Sequence, residues 1–233
     1  MNYHSEKGLI PISDLVFAKN LFDLCQTSVP ELFTDLHFVW EAIPRLPEVI
    51  LQLVAKLPAD FDQIAPAVWV GKGTRIAPTA LIKGPAINGY DCEIRHAAFI
   101  RENVIVGNGA VIGNSAELKN SLLFHEVQVP HFNYVGDSIL GYRSHLGAGV
   151  ILSNLKSAKN PVTIKDVDGI PYETGLRKLG ALLGDRVEVG CNSVLNPGTI
   201  VGPETIIYPL TAVRGIIPGK SILKSDGRII PRD

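Results

Sequence analysis

Stepping six residues at a time from Val70 lands on Ile76, Ile82, Asn88, Ile94, Ile100, Val106, Ile112, Leu118 and Phe124. All but Asn88 are apolar, well above the roughly half that average composition places at random positions. The fourth residue after each is mostly small, as at Thr74, Ala80, Ala86, Cys92, Ala98, Ala110 and Ala116. The residue directly after is often Gly or basic, as at Gly71, Gly89, Arg95, Arg101, Gly107 and Lys119. The register resumes at Leu140, Leu146 and Leu152, and again at Leu183, Val189, Leu195, Val201, Ile207 and Val213. Neither an amphipathic helix nor an alternating strand sustains a period of six. Three such hexads make a triangular coil whose apolar residue points inward, with the small residue beside it and Gly easing the corner. Stacked coils then pair as parallel strands about 4.8 Å apart. The pattern predicts a mainly β chain, a parallel β-helix of hexapeptide repeats over residues 62–217. A right-handed solenoid or a sandwich of short strands remains the alternative on period alone.

Residues 1–61 lack the hexads and carry apolar residues at helical spacing, including Leu15, Ala18, Leu21, Phe22 and Cys25. Ser13-Asp14 is a helix-start signal, while Pro44 and Pro47 interrupt the second half of the segment. Two or three short helices are expected, forming a small N-terminal helical cap over the open first coil, as solenoid ends require. Residues 153–179 interrupt the repeats as a long loop, a length usually tied to function, and are expected to cover the site. Residues 218–233 are expected to form an irregular or swapped C-terminal tail.

Charge and composition narrow the partners. Formal net charge is −1, so no global basic field draws the chain to nucleic acid or an anionic membrane. The longest apolar stretch, residues 49–57, is broken by Gln52 and Lys56 and falls far short of the roughly 20 residues a membrane span needs. Cys25, Cys92 and Cys191 have no metal-ligand spacing and point to a reducing compartment. The first residues lack a basic segment leading into an apolar run. A cytoplasmic protein with no secretory leader is expected.

The densest chemistry lies in residues 116–154, AELKNSLLFHEVQVPHFNYVGDSILGYRSHLGAGVILSN. Arg101 and Lys119 each follow a register residue and are eighteen apart, so they are expected one above the other on successive coils, where two cations suit a phosphate. Solvated corners are the plainer reading of the same pair. His131 follows Pro130 where the register slips between Phe124 and Leu140, and irregularities that re-aim side chains cluster at sites. A neutral imidazole suits removal of a proton from an amine attacking a carbonyl. Nothing near Cys191 in sequence would activate it as a nucleophile.

The PHFNYVGDS motif, the LGAG turn at 146–149 and the asparagine shortly after it resemble the acetyltransferase domain of the bifunctional glucosamine-1-phosphate acetyltransferase/N-acetylglucosamine-1-phosphate uridyltransferase. TGLRKLGALLGDRVEVGCNSVLNPG is similar to the stand-alone and archaeal-type members, and the resemblance covers roughly residues 62–217. It implies a left-handed winding of the helix and a CoA-dependent N-acetyltransferase acting on an amino-sugar phosphate, glucosamine-1-phosphate leading. His131 would be the general base, and Arg101 and Lys119 would hold the sugar phosphate. Tyr134 and Asn154 would orient the sugar, the Ala148 amide would face the thioester, and Cys191 would line the coenzyme. His145 stands where the family has a sugar-binding asparagine. Lys159 is the nearest match to a loop lysine, one residue displaced. Acetyl-CoA as co-substrate, no metal, and a homotrimer with sites between subunits are implied by the same resemblance, without a uridyltransferase domain ahead of the repeats.

Two other readings stand beside it. A γ-type carbonic anhydrase on the same prism would use His96, His125, His131 and His145 for zinc, but its His-x4-His pair is missing. A non-catalytic subunit could bind a sugar nucleotide or contact a nucleotidyltransferase partner. GKGTR at 71–75 resembles a phosphate loop but lacks the strand-to-helix setting.

Overall fold

A computed structural model describes residues 10–165 and 169–232. The chain forms a parallel β-solenoid with three faces. Face one has nine strands from Phe61–Ala65 and Val68–Gly71 to Ile216–Ile217, face two nine from Arg75–Ile76 to Ile229–Pro231, and face three seven from Leu81–Ile82 to Ala212–Val213. Within each face neighbouring coils pair in parallel, as in Val104↔Ser121 and Val106↔Leu123. The inward column of face two, Ile94, Ile112, Val129 and Leu146, is fully or almost fully buried.

The structure corrects the register at one coil. Leu123, seventeen residues after Val106, takes the inward place, and Phe124 turns out. It is nevertheless completely buried, because Phe22 and Phe33 stack on it with ring centroids 4.8 and 5.8 Å away. The shortened spacing continues through Ile112↔Val129 and Leu118↔Val135, so Val129 and Val135 bridge the gap in the hexad pattern.

The N-terminal segment does not sit over the open first coil, as expected, but runs along face one. Residues pointing outward there, Ile87, Ile105, Leu122, Ile139, Leu182, Ile200 and Ile216, are all apolar and all buried. This arm is a chain of short 3₁₀ turns ending in one α-helix, Leu46–Val54. Its first turn, Ile12–Val16, lies against the strands Thr199–Val201 and Ile216–Ile217. The corner between faces one and two carries a glycine column, Gly71, Gly89, Gly107, Gly141, Gly184 and Gly202. A Cβ on Gly107 would collide with the backbone of Phe124 one coil on. The column breaks at Phe124, and there the arm supplies what the corner lacks. Gln26 O accepts from His125 N–H, Leu21 O accepts from Asp185 N–H, and the Asp185 carboxylate accepts from Asp23 N–H at 2.7 Å. The first coil stays open at its end, with Ile76 and Ile82 only partly covered and Ile64 half exposed.

The C-terminal segment, expected to be irregular, is ordered. Ser221–Leu223 adds a parallel strand to face two and Ile229–Pro231 returns antiparallel beside it, closing that end. Residues 216–223 missed the hexad register because Ile217 pairs with Val201 sixteen residues earlier. The insertion after Ile151–Leu152 carries a hairpin, Thr163–Lys165 with Pro171–Glu173. Val162 and Ile164 are buried over Gly198, and Tyr172 packs edge-on against Phe38 and Trp40 of the arm. Among the described residues no helix is long and apolar enough to cross a membrane.

Candidate active site

The coil geometry gathers the sequence-derived residues into two groups flanking face three. At the corner between faces two and three, His131 ends the strand Gln128–His131 and its carbonyl accepts from Gly149 N–H. On the next coil the Ala148 carbonyl accepts from Asn192 N–H at 2.8 Å. Cys191 comes above, where a Cβ on Gly147 would touch its nitrogen and sulfur. His131, Ala148 and Cys191 therefore climb one corner on successive coils. Buried Asn133 fixes the turn. Its Oδ1 accepts from His131 N–H at 3.0 Å, and its Nδ2 donates to Gly147 O at 2.8 Å. The His131 side chain is exposed, and its ring has no hydrogen-bond partner among the described residues. The Ala148 N–H also donates to no described group, leaving a donor free beside the imidazole.

The second group lies on the outer side of face three and its corner with face one. Phe99 pairs with Glu117 and Arg101 N–H bonds to Leu118 O, so Arg101 and Lys119 stand on neighbouring rungs as the spacing predicts. A side-chain carboxylate occupies the space between them. Glu102 Oε1 lies 3.7 Å from Arg101 and 3.8 Å from Lys119, and Glu117 bonds Arg101 at 3.0 Å. The Glu102 N–H and then Arg101, Lys119 and Lys83 hold its carboxyl below the usual range, against some burial. Sequence reading missed Glu102, because a carboxylate adjacent to Arg101 in the chain carries no spacing signal.

Tyr134, opposite Glu117 one coil on, is half-buried, and burial pushes its hydroxyl pKa up. Asn154 Nδ2 donates to Tyr134 OH at 3.2 Å and to Asp137 Oδ2 at 2.5 Å, while Asn120 Nδ2 donates to Asp137 Oδ1 at 2.8 Å. Asp137 is buried and was also missed, although it lies inside PHFNYVGDS.

Two sequence-derived residues stand apart. His145 points out from face two and pairs with Glu188 at 2.9 Å, away from Tyr134 and Asn154 in the same chain. Lys159 is exposed in the insertion, whose base meets the site through Asn154. His125 belongs to the corner between faces one and two, so it does not converge with His131.

A chain with this parallel β-solenoid and with acetyltransferases as relatives is a hexapeptide-type acyltransferase. More narrowly, the chain belongs to the family described as the GMPPB C-terminal domain, which matches residues 82–206. Uncharacterized acetyltransferase YaiX of Escherichia coli O6:K15:H31 is 35% identical over 158 residues, 68% of each chain. Bifunctional protein GlmU of Methanococcus maripaludis strain C5 is 30% identical over 235 residues, covering 98% of this chain and 56% of GlmU. The chain thus spans little more than half of that relative. Among solved structures, PerB from Caulobacter crescentus, in complex with CoA and GDP-perosamine, matches with a TM-score of 0.42 and 18% identity over 67% of this chain and 56% of PerB.

Proposed function

We propose that the chain transfers an acetyl group from acetyl-CoA to the amine of an amino-sugar phosphate, glucosamine-1-phosphate being the leading acceptor. The observation that carries this reading is the ladder of His131, the free Ala148 N–H and Cys191 on one corner, with Arg101, Lys119, Tyr134 and Asn154 across the adjoining face. In the reaction the amine nitrogen attacks the thioester carbonyl and His131 Nε2 or Nδ1 takes its proton. Ala148 N–H donates to the oxyanion that forms, and collapse breaks the carbon–sulfur bond, the CoA sulfur leaving with the proton. Cys191 lines the coenzyme and needs no covalent role. Arg101 and Lys119 meet the phosphate after Glu102 swings aside, and Tyr134 and Asn154 hold the sugar.

Such a site is divided within one chain, and the faces differ in a way that supports a homotrimer. Outward residues of face two are polar at Arg75, Glu93, Gln128, His145 and Glu188 and apolar at Val111, Ile206 and Ile222, while face one is covered by the arm. Face three and its corner leave Leu81, Phe132, Val194 and Leu210 exposed. Threefold packing of these apolar residues would bring one subunit's His131 corner to another's face three.

A second reading, a non-catalytic subunit binding a sugar nucleotide, draws on the Glu102 carboxylate already lodged between the two cations. Thiol release from acetyl-CoA by the purified chain, with a panel of amino-sugar phosphates and matching unphosphorylated sugars, separates the two. Release dependent on the phosphorylated amine supports the enzyme; binding without release supports the second reading.

A further inference from the structure

Coil after coil, the corner between faces three and one places a residue at positive φ, Asn103 at 62°, Asn120 at 46° and Asp137 at 49°. Asparagine and aspartate both tolerate that left-handed conformation, so the backbone alone does not explain a carboxylate at the third place. Its hydrogen bonds do. Both oxygens of buried Asp137 are taken by amide N–H donors, one from Asn120 and one from Asn154. A carboxylate accepts at both oxygens, whereas an asparagine accepts at one and donates at the other.

We infer that Asp137 is a positioning residue that fixes the polarity of Asn154, and with it the side of the sugar read at this corner. The inference rests on the acetyl-transfer reading for the identity of the ligand, but its geometry does not. With both Nδ2 protons of Asn154 spent on Asp137 and Tyr134, only its Oδ1 is left to face a ligand, and among the described residues that oxygen has no partner. Tyr134 OH accepts from Asn154 and so has its own proton free to donate. The corner thus offers one acceptor, Asn154 Oδ1, and one donor, the Tyr134 hydroxyl, on side chains joined by the 3.2 Å bond from Asn154 Nδ2. A sugar hydroxyl or ammonium can donate to Asn154 Oδ1; a phosphate oxygen cannot. The phosphate is left to Lys119 and Arg101, one and two rungs below Tyr134, and the acceptor can enter in one orientation.

Asparagine in place of Asp137 reverses this. If its Oδ1 keeps the bond from Asn120, its amide faces Asn154, which must flip and present its NH₂ to the ligand. Moving the carboxylate to the neighbouring position, Asp137→Asn with Asn154→Asp, restores an outward acceptor at unchanged net charge. The test is steady-state kinetics on the wild type, Asp137→Asn, Asn154→Asp and the double variant, with exchange of the Asn154 side-chain amide protons in the wild type and Asp137→Asn followed by ¹⁵N NMR. Asp137→Asn is expected to raise the acceptor KM about tenfold or more, leave the acetyl-CoA KM within about twofold and abolish protection of those protons, while the double variant regains severalfold in acceptor KM. If Asp137→Asn melts far below the wild type, the double variant decides alone. Recovery of acceptor KM supports the lock, and a KM no better than that of Asn154→Asp overturns it. An unchanged acceptor KM in a folded Asp137→Asn also overturns it. A wild type that transfers no acetyl group yet loses Asn154 protection on Asp137→Asn would keep the lock and remove the acetyl-transfer reading instead.

Discussion

At the scale of single residues, the sequence exposed the candidate groups and hid their supports. That His131, Ala148 and Cys191 share one corner was legible because the coil repeat aligns the segments that carry them. Asp137 and Glu102 act through partners on other coils or through a swung side chain, which spacing cannot display. Replacement of His131 by Ala is expected to lower kcat by about 10² to 10⁴, the usual worth of a general base, with circular dichroism and melting unchanged. Its side chain is exposed, so a large loss of stability would mean the residue does other work. His125 makes a different prediction. Its Nδ1 accepts the Asn108 N–H at 2.9 Å, which only an unprotonated nitrogen can do, and burial holds its pKa below the ordinary value, against a small pull upward from Glu126. The unfolded chain therefore binds the proton more readily. Stability from this contact is complete above about pH 6.5 and is lost as pH falls below that toward the folded pKa. Asn at position 125 could still accept the bond, as Asn108 does from Tyr90 N–H. His125→Asn should melt with a flatter dependence between about pH 7 and pH 5 than the wild type. Equal slopes in thermal melts would place the pH response elsewhere.

Among elements, the coils were predicted and their accessories were not. A six-residue period survives in sequence because each inward place demands an apolar side chain. A one-residue deletion between apolar neighbours is invisible, since Leu123 and Phe124 both satisfy the pattern. The arm was misplaced for a related reason: its apolar residues showed that it packs, whereas the matching column on face one, Ile105, Leu122 and Ile139 among them, was concealed beside the inward positions. Phe124 joins arm and solenoid, and its burial against Phe22 and Phe33 sets the size of the effect. Phe124→Ala should cost about 3–5 kcal/mol and open residues 12–33 to limited proteolysis while the coils stay protected. Cleavage of the coils at the same rate as the arm would show that the two unfold together.

For the whole molecule, the contrast among faces is the informative feature. One is covered, one is polar at most rungs from Arg75 to Glu188, and one, with its corner, leaves apolar residues on its surface, the most exposed being Leu210 at 74% and Phe132 at 61%. Leu210 lies away from Tyr134, Arg101 and Lys119 in its own chain but directly above Cys191, whose O accepts its N–H at 3.0 Å, so for Leu210→Glu the mass is the deciding readout. The substitution is expected to shift the mass in light scattering from trimer toward monomer and to reduce acetyl transfer in step. A stable trimer in that variant would move the interface to other residues.

The unequal ends of the solenoid have a further consequence. Coils touch only their neighbours, so stability is a sum of local interfaces. The arm braces Phe124, Asp185 and the strands up to Ile217, while the hairpin Ser221–Pro231 seals the far end. Arg75–Ile76 and Leu81–Ile82 have neither support. Heat or denaturant then meets a staircase with one loose bottom step, and the molecule should come apart as a travelling front, entering at the first coil and halting where the arm covers Ile87 and Ile105. The corner proposed for catalysis lies beyond that stop, so a chain that has lost its opening turns can still hold that corner in shape.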